Sequence, residues 1–303
     1  MKQDLYDREL TPDEGLLSRL ARSRHLASSV LHSLPEVLRE RRLALQEDRR
    51  HQARPPREGL VVDVGAGQGS HGRANMIIDK YVVDAFERSG EIDLSRPLVV
   101  ADGHQLPIRT GAISYIIASH VLEHATDPAL FASELSRVAL AGFVQVPSRE
   151  AELTFGWPFH HWLVDLAGDT LVFRPKGDTR AWTGDLLHSG FIESPGFRLW
   201  FDAHRTRWHH SLEWRGKINI EVDGPSTPEA AATFELQETM KALSAAHKRG
   251  VLRSLTPALW SILCCPVCHG DLGETAEAVH CTSCGRAYPV AGGTPILIET
   301  VAS

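Results

Sequence analysis

Short apolar runs alternate with helical stretches in the middle of the chain, from Gly59 to Ser148. Each run is hydrophobic at successive positions, which is typical of strands in a parallel sheet that is covered on both faces. Between the last two runs, apolar residues recur at helical spacing over residues 127–139. The pattern predicts an α/β fold with a doubly wound sheet, whose strands lie at residues 60–64, 76–78, 98–101, 113–118 and 143–146.

The first 58 residues have helical periodicity and carry many charges. Thr11-Pro12-Asp13-Glu14 is a capping box with proline at the first helical position, and Ser33-Leu34-Pro35-Glu36 repeats the signal. Residues 39–57 contain seven arginines and three acids. We interpret this segment as a helical N-terminal extension. Its charged face either meets solvent or serves as a lid or a surface for an anionic partner.

Residues 149–225 follow no single period and are rich in tryptophan, histidine and proline. The stretch from His210 to Val222 is predicted to be a hairpin that turns at residues 215–217. Thr227-Pro228-Glu229 predicts the start of a long helix that ends near Leu252. These patterns divide the chain into a helical extension or lid (1–58), an α/β domain (59–255) with a substrate-side insertion (about 149–225), and a C-terminal segment (256–303).

The composition narrows the classes of function. The 303 residues are 43% hydrophobic and 23% charged, which is ordinary for a globular chain. The net charge of −6 provides no general attraction to nucleic acid or anionic lipid. The first residues lack the apolar core of a signal peptide, and no run of 18 apolar residues occurs. We therefore expect a cytoplasmic protein without a membrane span.

A glycine-rich turn follows the first predicted strand. Gly65, Gly67 and Gly69 come directly after Asp63-Val64, at the edge of the sheet where α/β folds bind ligands. Glycine allows the backbone to turn sharply and to approach a ligand closely. The turn is shared by several nucleotide-binding families, so the residues around it decide which ligand is expected.

Aspartates end the second and third predicted strands. A carboxylate at Asp79 can accept hydrogen bonds from both hydroxyls of a ribose. Asp102 is followed by Gly103, and such a pair can receive an adenine amino group while a backbone N–H meets the ring. These positions predict an adenosine-containing ligand.

Taken in order, these motifs resemble the class I S-adenosylmethionine (SAM)-dependent methyltransferases. The resemblance covers roughly residues 58–150 and rests on D-x-G-x-G-x-G, a strand-end aspartate, A-D-G-x-x-L-P and S-H-V-L-E-H-x-x-D-P. It implies that the glycines hold the methionine part of SAM, that Asp79 holds the ribose, and that Asp102 with Gly103 holds the adenine. The full set of cofactor residues that we expect is Asp63, Gly65, Ala66, Gly67, Gly69, Asp79, Lys80, Asp102, Gly103, His104 and Ser119.

Two features depart from the family pattern. Asp79 lies only ten residues after Gly69, so the helix that usually separates these points is expected to be reduced to a turn. Ser114-Tyr115 stands where many members carry aspartate before an aromatic residue. An α/β fold that binds another adenosine ligand stays open as the alternative.

The acceptor chemistry is narrowed by what the α/β domain lacks. Residues 1–263 contain no cysteine, which excludes a mechanism in which a cysteine forms an adduct with a pyrimidine ring. No N-P-P-aromatic sequence follows the fourth strand, which disfavours methyltransferases that act on exocyclic amines or on glutamine amides. We therefore expect O-methylation of a small-molecule or glycan hydroxyl, with N- or C-methylation of a small substrate left open. A hydroxyl acceptor needs in-line placement and often a base.

Histidines supply the candidate bases. His160 is the first choice and His161 the second, because both lie in the predicted substrate loop and histidine titrates near working pH. His120, Glu123 and His124 share one face of a helix start after the fourth strand. Packing among aromatic residues is the structural alternative for the two loop histidines.

The same face, His120, Glu123 and His124, is also a candidate site for a divalent metal. With a histidine from the loop it is similar to the E-x-x-E-H plus His arrangement of small-RNA 2′-O-methyltransferases and to the E-x-x-E-H of ubiquinone O-methyltransferases. A metal there lowers a hydroxyl's pKa and orients it. Hydrogen-bonded scaffolding without a metal is the favoured interpretation.

All five cysteines lie between Cys264 and Cys284. Cys265-x-x-Cys268 and Cys281-x-x-Cys284 are two knuckles separated by twelve residues, a spacing that fits a closed tetrahedral zinc site. The clustering argues against a secreted disulfide scaffold. We predict structural zinc on these four thiolates, with Cys264 as a packed thiol.

The cysteine segment, from about Leu263 to Leu297, resembles the small zinc-ribbon proteins that activate RNA and protein methyltransferases. The resemblance implies a ribbon that stabilises the enzyme from within the same chain. Residues 261–303 contain four acids and one arginine, and this negative charge disfavours binding of phosphates by the ribbon.

The sequence thus predicts a SAM-dependent methyltransferase of a small molecule or glycan. An RNA or protein methyltransferase, with the ribbon and the arginine-rich helix as its partner surface, is the second hypothesis. A non-catalytic scaffold is the third, and a homo-oligomer is left open.

Overall fold

A computed structural model describes residues 34–84, 87–88, 90–177, 184–225, 233–275 and 278–299. The capping box at Thr11 and the helix start at Thr227 lie outside the described residues. None of the described helices is both long and apolar enough to cross a membrane.

The centre of the molecule is a sheet with five parallel strands and an antiparallel edge strand, which confirms the predicted α/β class. The strand order is β3-β2-β1-β4-β5-β8, with β8 antiparallel to β5. Every residue of β1, β2 and β3 is buried, as expected when both faces of a parallel sheet are covered. The strands are β1 (Val61–Val64), β2 (Met76–Asp79), β3 (Leu98–Ala101), β4 (Tyr115–Ser119), β5 (Ala141–Pro147) and β8 (His209–Arg215).

The chain order reverses between β1 and β4, which pair with each other in parallel at the centre of the sheet. At such a point the connections leave the two strands in opposite directions and open a crevice beyond their carboxyl ends. The glycine-rich turn after β1 and the histidine motif after β4 therefore lie side by side.

Helices cover the sheet and continue into the insertion, residues 149–225. Asp127 caps the helix after β4 by accepting the N–H of Leu130, and Pro128 occupies its first turn, where a missing N–H costs nothing. The described helices are α1 (34–50), a 3₁₀ turn (Leu122–His124), α2 (Pro128–Val138), α3 (Arg149–Phe155), α4 (Gly184–Glu193), α5 (Pro195–Ala203), α6 (Arg205–Trp208), α7 (Leu236–Lys248) and α8 (Pro257–Ser261).

The insertion forms a second, three-stranded sheet. Strands β6 (Trp162–Ala167) and β7 (Thr170–Pro175) form an antiparallel hairpin, and β9 (Asn219–Val222) lies parallel to β7. The predicted hairpin from His210 to Val222 is therefore wrong. Although β8 and β9 are adjacent in the chain, β8 pairs with β5 in the main sheet and β9 with β7, because each finds its partner elsewhere in the sequence.

The C-terminal segment is an antiparallel ribbon that joins the main sheet. Its strands β10 (Leu272–Glu274), β11 (Ala278–Cys281), β12 (Ala287–Ala291) and β13 (Thr294–Leu297) pair in sequence order. Strand β13 then pairs in parallel with β3, with Ile296 opposite Val100 and Leu297 opposite Ala101. In the described part of the chain, one sheet of ten strands results.

Two further sequence predictions, on the first and the late helix, can be compared with the structure. The segment between Gly69 and Asp79 contains no helix, so the predicted reduction of the first helix to a turn is confirmed. The late helix α7 begins at Leu236 instead of near Pro228, since the described residues 233–235 are not helical. Its buried Leu243 packs into the same core cluster as Ile296.

Gly103 is required by packing. A Cβ added at this position would lie 2.0 Å from the ring of Phe131, which is itself buried. The close contact packs the turn after β3 directly onto α2. Glycine here therefore serves the fold, whatever ligand the turn meets.

We predict that Gly103→Ala lowers the free energy of unfolding by about 1–3 kcal/mol, because the methyl group must displace Phe131. Gly69→Ala is the matched control, since a Cβ there meets nothing within 4 Å, and its effect should stay within about 0.5 kcal/mol. Urea denaturation measures both. Equal stability of the two variants would show that Phe131 moves aside freely.

Candidate active site and metal centre

A cavity of about 830 Å³ opens at the carboxyl ends of the central strands. Its volume lies within the range that small-molecule sites occupy. The structure brings every expected cofactor residue to its wall: Asp63, Gly65, Ala66, Gly67, Gly69, Asp79, Lys80, Asp102, Gly103, His104 and Ser119.

The glycine-rich turn has the backbone conformation for which glycine is needed. Gly65 has φ +67° and Gly67 has φ +55°, in the left-handed region, and a Cβ at Gly65 would lie 2.6 Å from Val121. The Asp63 carboxylate accepts the N–H of His71 at 2.7 Å and so holds the far end of the turn. Burial raises the pKa of Asp63 to about 6.

Asp79, at the end of β2, is buried and forms part of the cavity wall. Its carboxylate accepts the N–H of Gly67 at 3.3 Å and that of Tyr81 at 2.9 Å, and Arg88 lies 3.8 Å away. Burial raises its pKa, although these neighbours oppose the rise. A carboxylate has about four acceptor positions, so positions remain for two ligand hydroxyls.

Asp102 is held by the two residues that flank it in the cavity. Lys80 Nζ lies 2.9 Å from one carboxylate oxygen, and the ring and backbone nitrogens of His104 lie 2.7 and 2.9 Å from the other. Burial alone would raise the pKa of Asp102, but the hydrogen bond from His104 and the charge of Lys80 outweigh it and lower the pKa. Asp102 therefore carries its charge at neutral pH.

Several residues of the site had no motif to mark them. Asp93 accepts the backbone and hydroxyl hydrogens of Ser70 at 2.8 and 2.6 Å and thereby fixes the glycine-rich turn from outside. His51, at the end of α1, and Arg205, at the start of α6, line the cavity from segments distant in sequence. Gln145 was detectable in principle, because it is a polar residue inside the apolar strand β5.

Gln145 organises the polar wall opposite the glycine-rich turn. Its Nε2 donates to the backbone oxygen of His51 at 3.1 Å and to the Ser211 hydroxyl at 2.8 Å. Its Oε1 accepts from the Ser119 hydroxyl at 3.2 Å and from His120 Nε2 at 3.1 Å. The side chain is buried, and these four contacts set its orientation.

His120 lines the cavity in a strained backbone conformation, with φ +55°. Its Nδ1 lies 3.2 Å from Glu123 Oε1 and its Nε2 lies 3.1 Å from Gln145 Oε1. Both ring nitrogens thus meet acceptors. The side chain is positioned as a donor, which leaves no lone pair aimed at a substrate proton.

His124 and His160 are held by carboxylates. His124 lines the cavity, and its Nδ1 lies 2.9 Å from Glu87. His160 is not among the residues of the cavity wall; it lies behind His124, 4.7 Å away between ring centroids, and its Nδ1 donates to Glu152 at 2.6 Å. Burial lowers the pKa of His160 well below the ordinary histidine value.

His161 lies on the cavity wall, in contrast to His160. Its backbone N–H donates to the oxygen of Glu123 at 2.9 Å, and its Nδ1 has no hydrogen-bond partner among the described residues. Burial lowers the pKa of His161, and the neighbouring His124 lowers it further. The ring is therefore neutral at neutral pH.

The four cysteines of the two knuckles converge. Cys268 Sγ lies 3.4 Å from Cys281 Sγ, and Cys265 Sγ lies 3.8 Å from Cys284 Sγ. A zinc tetrahedron with Zn–S bonds near 2.3 Å has edges of about 3.8 Å, so the thiols fit the ion. Cys264 is apart from this group; it is fully buried, and burial raises its pKa to about 11.

Comparison with known families agrees with both regions. Residues 62–142 match the model of a methyltransferase domain, and residues 256–293 match that of Trm112p-like proteins. Over 46 residues, 14% of this chain, the segment is 44% identical to a UPF0434 protein of Erwinia tasmaniensis and covers 77% of it. The chain belongs to the Trm112p-like family through this segment. Its α/β core contains a methyltransferase domain, as the sequence predicts.

Solved structures give weaker likenesses. A SAM-dependent methyltransferase of Thermotoga maritima is 16% identical to this chain, with a TM-score of 0.26. The match covers 42% of this chain and 62% of the Thermotoga protein, so this chain spans less than two thirds of that protein's length. A chain from the complex between the Haloferax volcanii Trm112 methyltransferase activator and a methyltransferase is 13% identical, with a TM-score of 0.31, over 58% of this chain and 93% of its own.

The Trm112p-like segment touches the loop that follows Asp102. The N–H of Cys264 donates to Pro107 at 3.0 Å, and the N–H of Arg109 donates to Ile262 at 2.9 Å. The Arg109 guanidinium also reaches Asp271 at 2.7 Å. Together with the pairing of β13 and β3, these contacts join the zinc segment to the edge of the methyltransferase domain that carries Asp102.

We predict that Cys268→Ser releases the thiolate-bound zinc and lowers the melting temperature of the whole chain, because zinc binding is folding free energy for the segment that extends the sheet. Elemental analysis and thermal unfolding measure the two effects. Cys264→Ser is the matched control and keeps this zinc, since Cys264 is not among the converging thiols. Retention of the thiolate-bound zinc by Cys268→Ser would contradict the assignment.

Proposed function

We propose that this protein transfers a methyl group from SAM to a hydroxyl of a small molecule or glycan. The observation that carries the proposal is the convergence of all eleven expected cofactor residues on one cavity within a methyltransferase domain. The cavity also has a second, polar wall formed by Gln145, His120 and His161, where an acceptor can be placed.

SAM would lie across the carboxyl ends of β1, β2 and β3. Asp79, with acceptor positions left over, would take the ribose hydroxyls, and Asp102 would face the adenine. The methionine part would lie against the turn at Gly65 and Gly67, whose left-handed backbone permits close approach. The bound sulfonium methyl would then face the histidine wall.

We predict that Asp79→Ala weakens SAM binding by about 10- to 100-fold, since hydrogen bonds to a charged group contribute about 1.5–3 kcal/mol. Isothermal titration calorimetry measures the change. Asp169→Ala is the control, because this acid lies on the turn between β6 and β7 and is not part of the cavity wall. Failure of the unmodified protein to bind SAM would overturn the whole proposal.

His161 is the side chain best placed to act as general base. A base needs a neutral ring with an available lone pair near the acceptor. His120 has both nitrogens against acceptors, and His160 lies behind the wall. His161 combines a place on the wall with a lowered pKa and a nitrogen, Nδ1, that has no partner among the described residues; this atom is buried, so the ring must turn for it to meet an acceptor. His124 would orient the loop.

We predict that methyl transfer falls as the pH drops through the lowered pKa of His161, below the ordinary value of 6.5, and is constant above it. The base is active when neutral, so protonation removes activity. His161→Gln should reduce kcat by about 10²-fold or more and abolish this acid limb. The matched control is His188→Gln in α4, which should retain the limb. An unchanged pH profile in His161→Gln would assign the base elsewhere.

An RNA or protein acceptor is the second candidate. The match to Trm112p-like proteins and the seven arginines of residues 39–57 support it. Labelled SAM incubated with cell extract, divided into RNA, protein and small-molecule pools, separates the candidates. Label in RNA, with binding that weakens steeply as salt rises, would favour the RNA acceptor, whereas label in the small-molecule pool supports the first proposal.

A catalytically silent scaffold is the remaining hypothesis. The presence of Asp63, Asp79 and Asp102 on the cavity wall counts against decay of the cofactor pocket. SAM binding without label in any pool would support the scaffold. The thiolate zinc, by contrast, has a closed ligand set and is proposed to be structural in every case.

A further inference from the structure

Glu123, His124 and His160 form a group of ligand-capable side chains. One such atom from each lies within 4.8 Å of the others. The three come from two places in the chain: Glu123 and His124 from the 3₁₀ turn after β4, and His160 from the loop before β6. Within the described residues, only the four zinc-ribbon cysteines form another group of this kind.

Both histidines of the group are oriented by carboxylates. His124 Nδ1 lies 2.9 Å from Glu87, and His160 Nδ1 lies 2.6 Å from Glu152. In His160 the hydrogen bond to Glu152 leaves Nε2 with the lone pair that can bind an ion, whereas His124 Nδ1 makes an ion-pair contact with Glu87 without hydrogen-bond geometry. A histidine that binds a metal through one nitrogen commonly donates its other N–H to a carboxylate, which sets the tautomer and the ring orientation.

Glu123 supplies the negative charge of the group. Its side chain is fully buried; Oε1 lies 3.2 Å from His120, and Oε2 has no hydrogen-bond partner among the described residues. A buried carboxylate oxygen without a partner is costly, because it has lost its hydrogen bonds to water and gained none in the protein. A cation bound between Oε2 and the two rings would remove that cost.

We propose that Glu123, His124 and His160 bind a divalent transition-metal ion, such as zinc or manganese, at a site separate from the thiolate zinc. Two imidazoles and one carboxylate suit borderline ions of this kind, whereas magnesium prefers an octahedron of oxygens. This ligand set differs from the face predicted from the sequence, because His160 replaces His120 as a ligand. His120 instead orients Glu123.

The site would join the two walls of the cavity. His124 lies on the cavity wall, while Glu123 and His160 lie behind it. An ion there links the turn after β4 to the loop that carries His161. Bound metal would therefore order the acceptor side of the cavity, whichever acceptor enters, and the site does not depend on the proposed methyl transfer.

The test is the metal content of the full chain after saturation with Zn²⁺ and removal of unbound ions. We expect about two zinc ions per chain, one on four thiolates and one on the Glu–His–His group. Glu123→Gln and His160→Asn should each lose one ion and keep the thiolate zinc, whereas Cys268→Ser should lose the thiolate zinc and keep the second ion.

His161→Asn is the matched control, because it changes the residue next to His160 without touching the proposed ligand set, and it should keep both ions. Circular dichroism identifies any variant that fails to fold. Mn²⁺ titration followed by electron paramagnetic resonance gives an independent readout, since manganese disfavours thiolates and reports the second site alone.

One zinc ion per unmodified chain together with no Mn²⁺ binding would overturn the proposal, as would two ions retained in folded Glu123→Gln and His160→Asn. SAM binding by the unmodified chain is measured in parallel. This measurement distinguishes a failure of the metal site from a failure of the proposed function.

Discussion

The parallel pairing of β1 with β4 is the contact on which the site depends. It aligns Val64 with Ala118, so the glycine-rich turn and the Ser119–His124 motif leave the sheet at the same edge and in adjacent positions. Because the connections diverge at this point, nothing of the sheet itself fills the space beyond it. The cavity, the buried carboxylates and the histidine wall all follow from this pairing.

Buried charge dominates the chemistry of the cavity. Asp63 and Asp79 are removed from water and have raised pKa values, whereas Asp102, with Lys80 and His104 as partners, has a lowered one. The difference arises from both partners and depth, since Asp63 and Asp79 are buried whereas Asp102 is half-buried and has a lysine and a histidine beside it. A ligand that donates hydrogen bonds to Asp79 would replace the water that this carboxylate lost on folding.

The C-terminal ribbon is stabilised by its contact with the main sheet, and it stabilises the edge strand of that sheet in return. Below about 40 residues a fold seldom forms a sufficient core by itself. The pairing of β13 with β3 holds the segment on the main sheet, and the proposed zinc on the four converging thiols would stabilise it further. In return, β13 covers an edge strand that would otherwise present unpaired backbone groups. The ribbon therefore supports the strand that leads to Asp102.

The sequence by itself determined the parts whose signals are local. Apolar runs identified the central strands, the glycines and aspartates marked the edge of the sheet where the cavity opens, and the two knuckles marked the four converging thiols, because each signal depends on neighbours a few residues away. Only the tertiary structure decided that β8 and β9 separate into two sheets and that β13 extends the main one. It also decided that His161, and not His160, meets the cavity. These outcomes depend on contacts between distant segments, such as His124 with His160, for which the local pattern holds no signal.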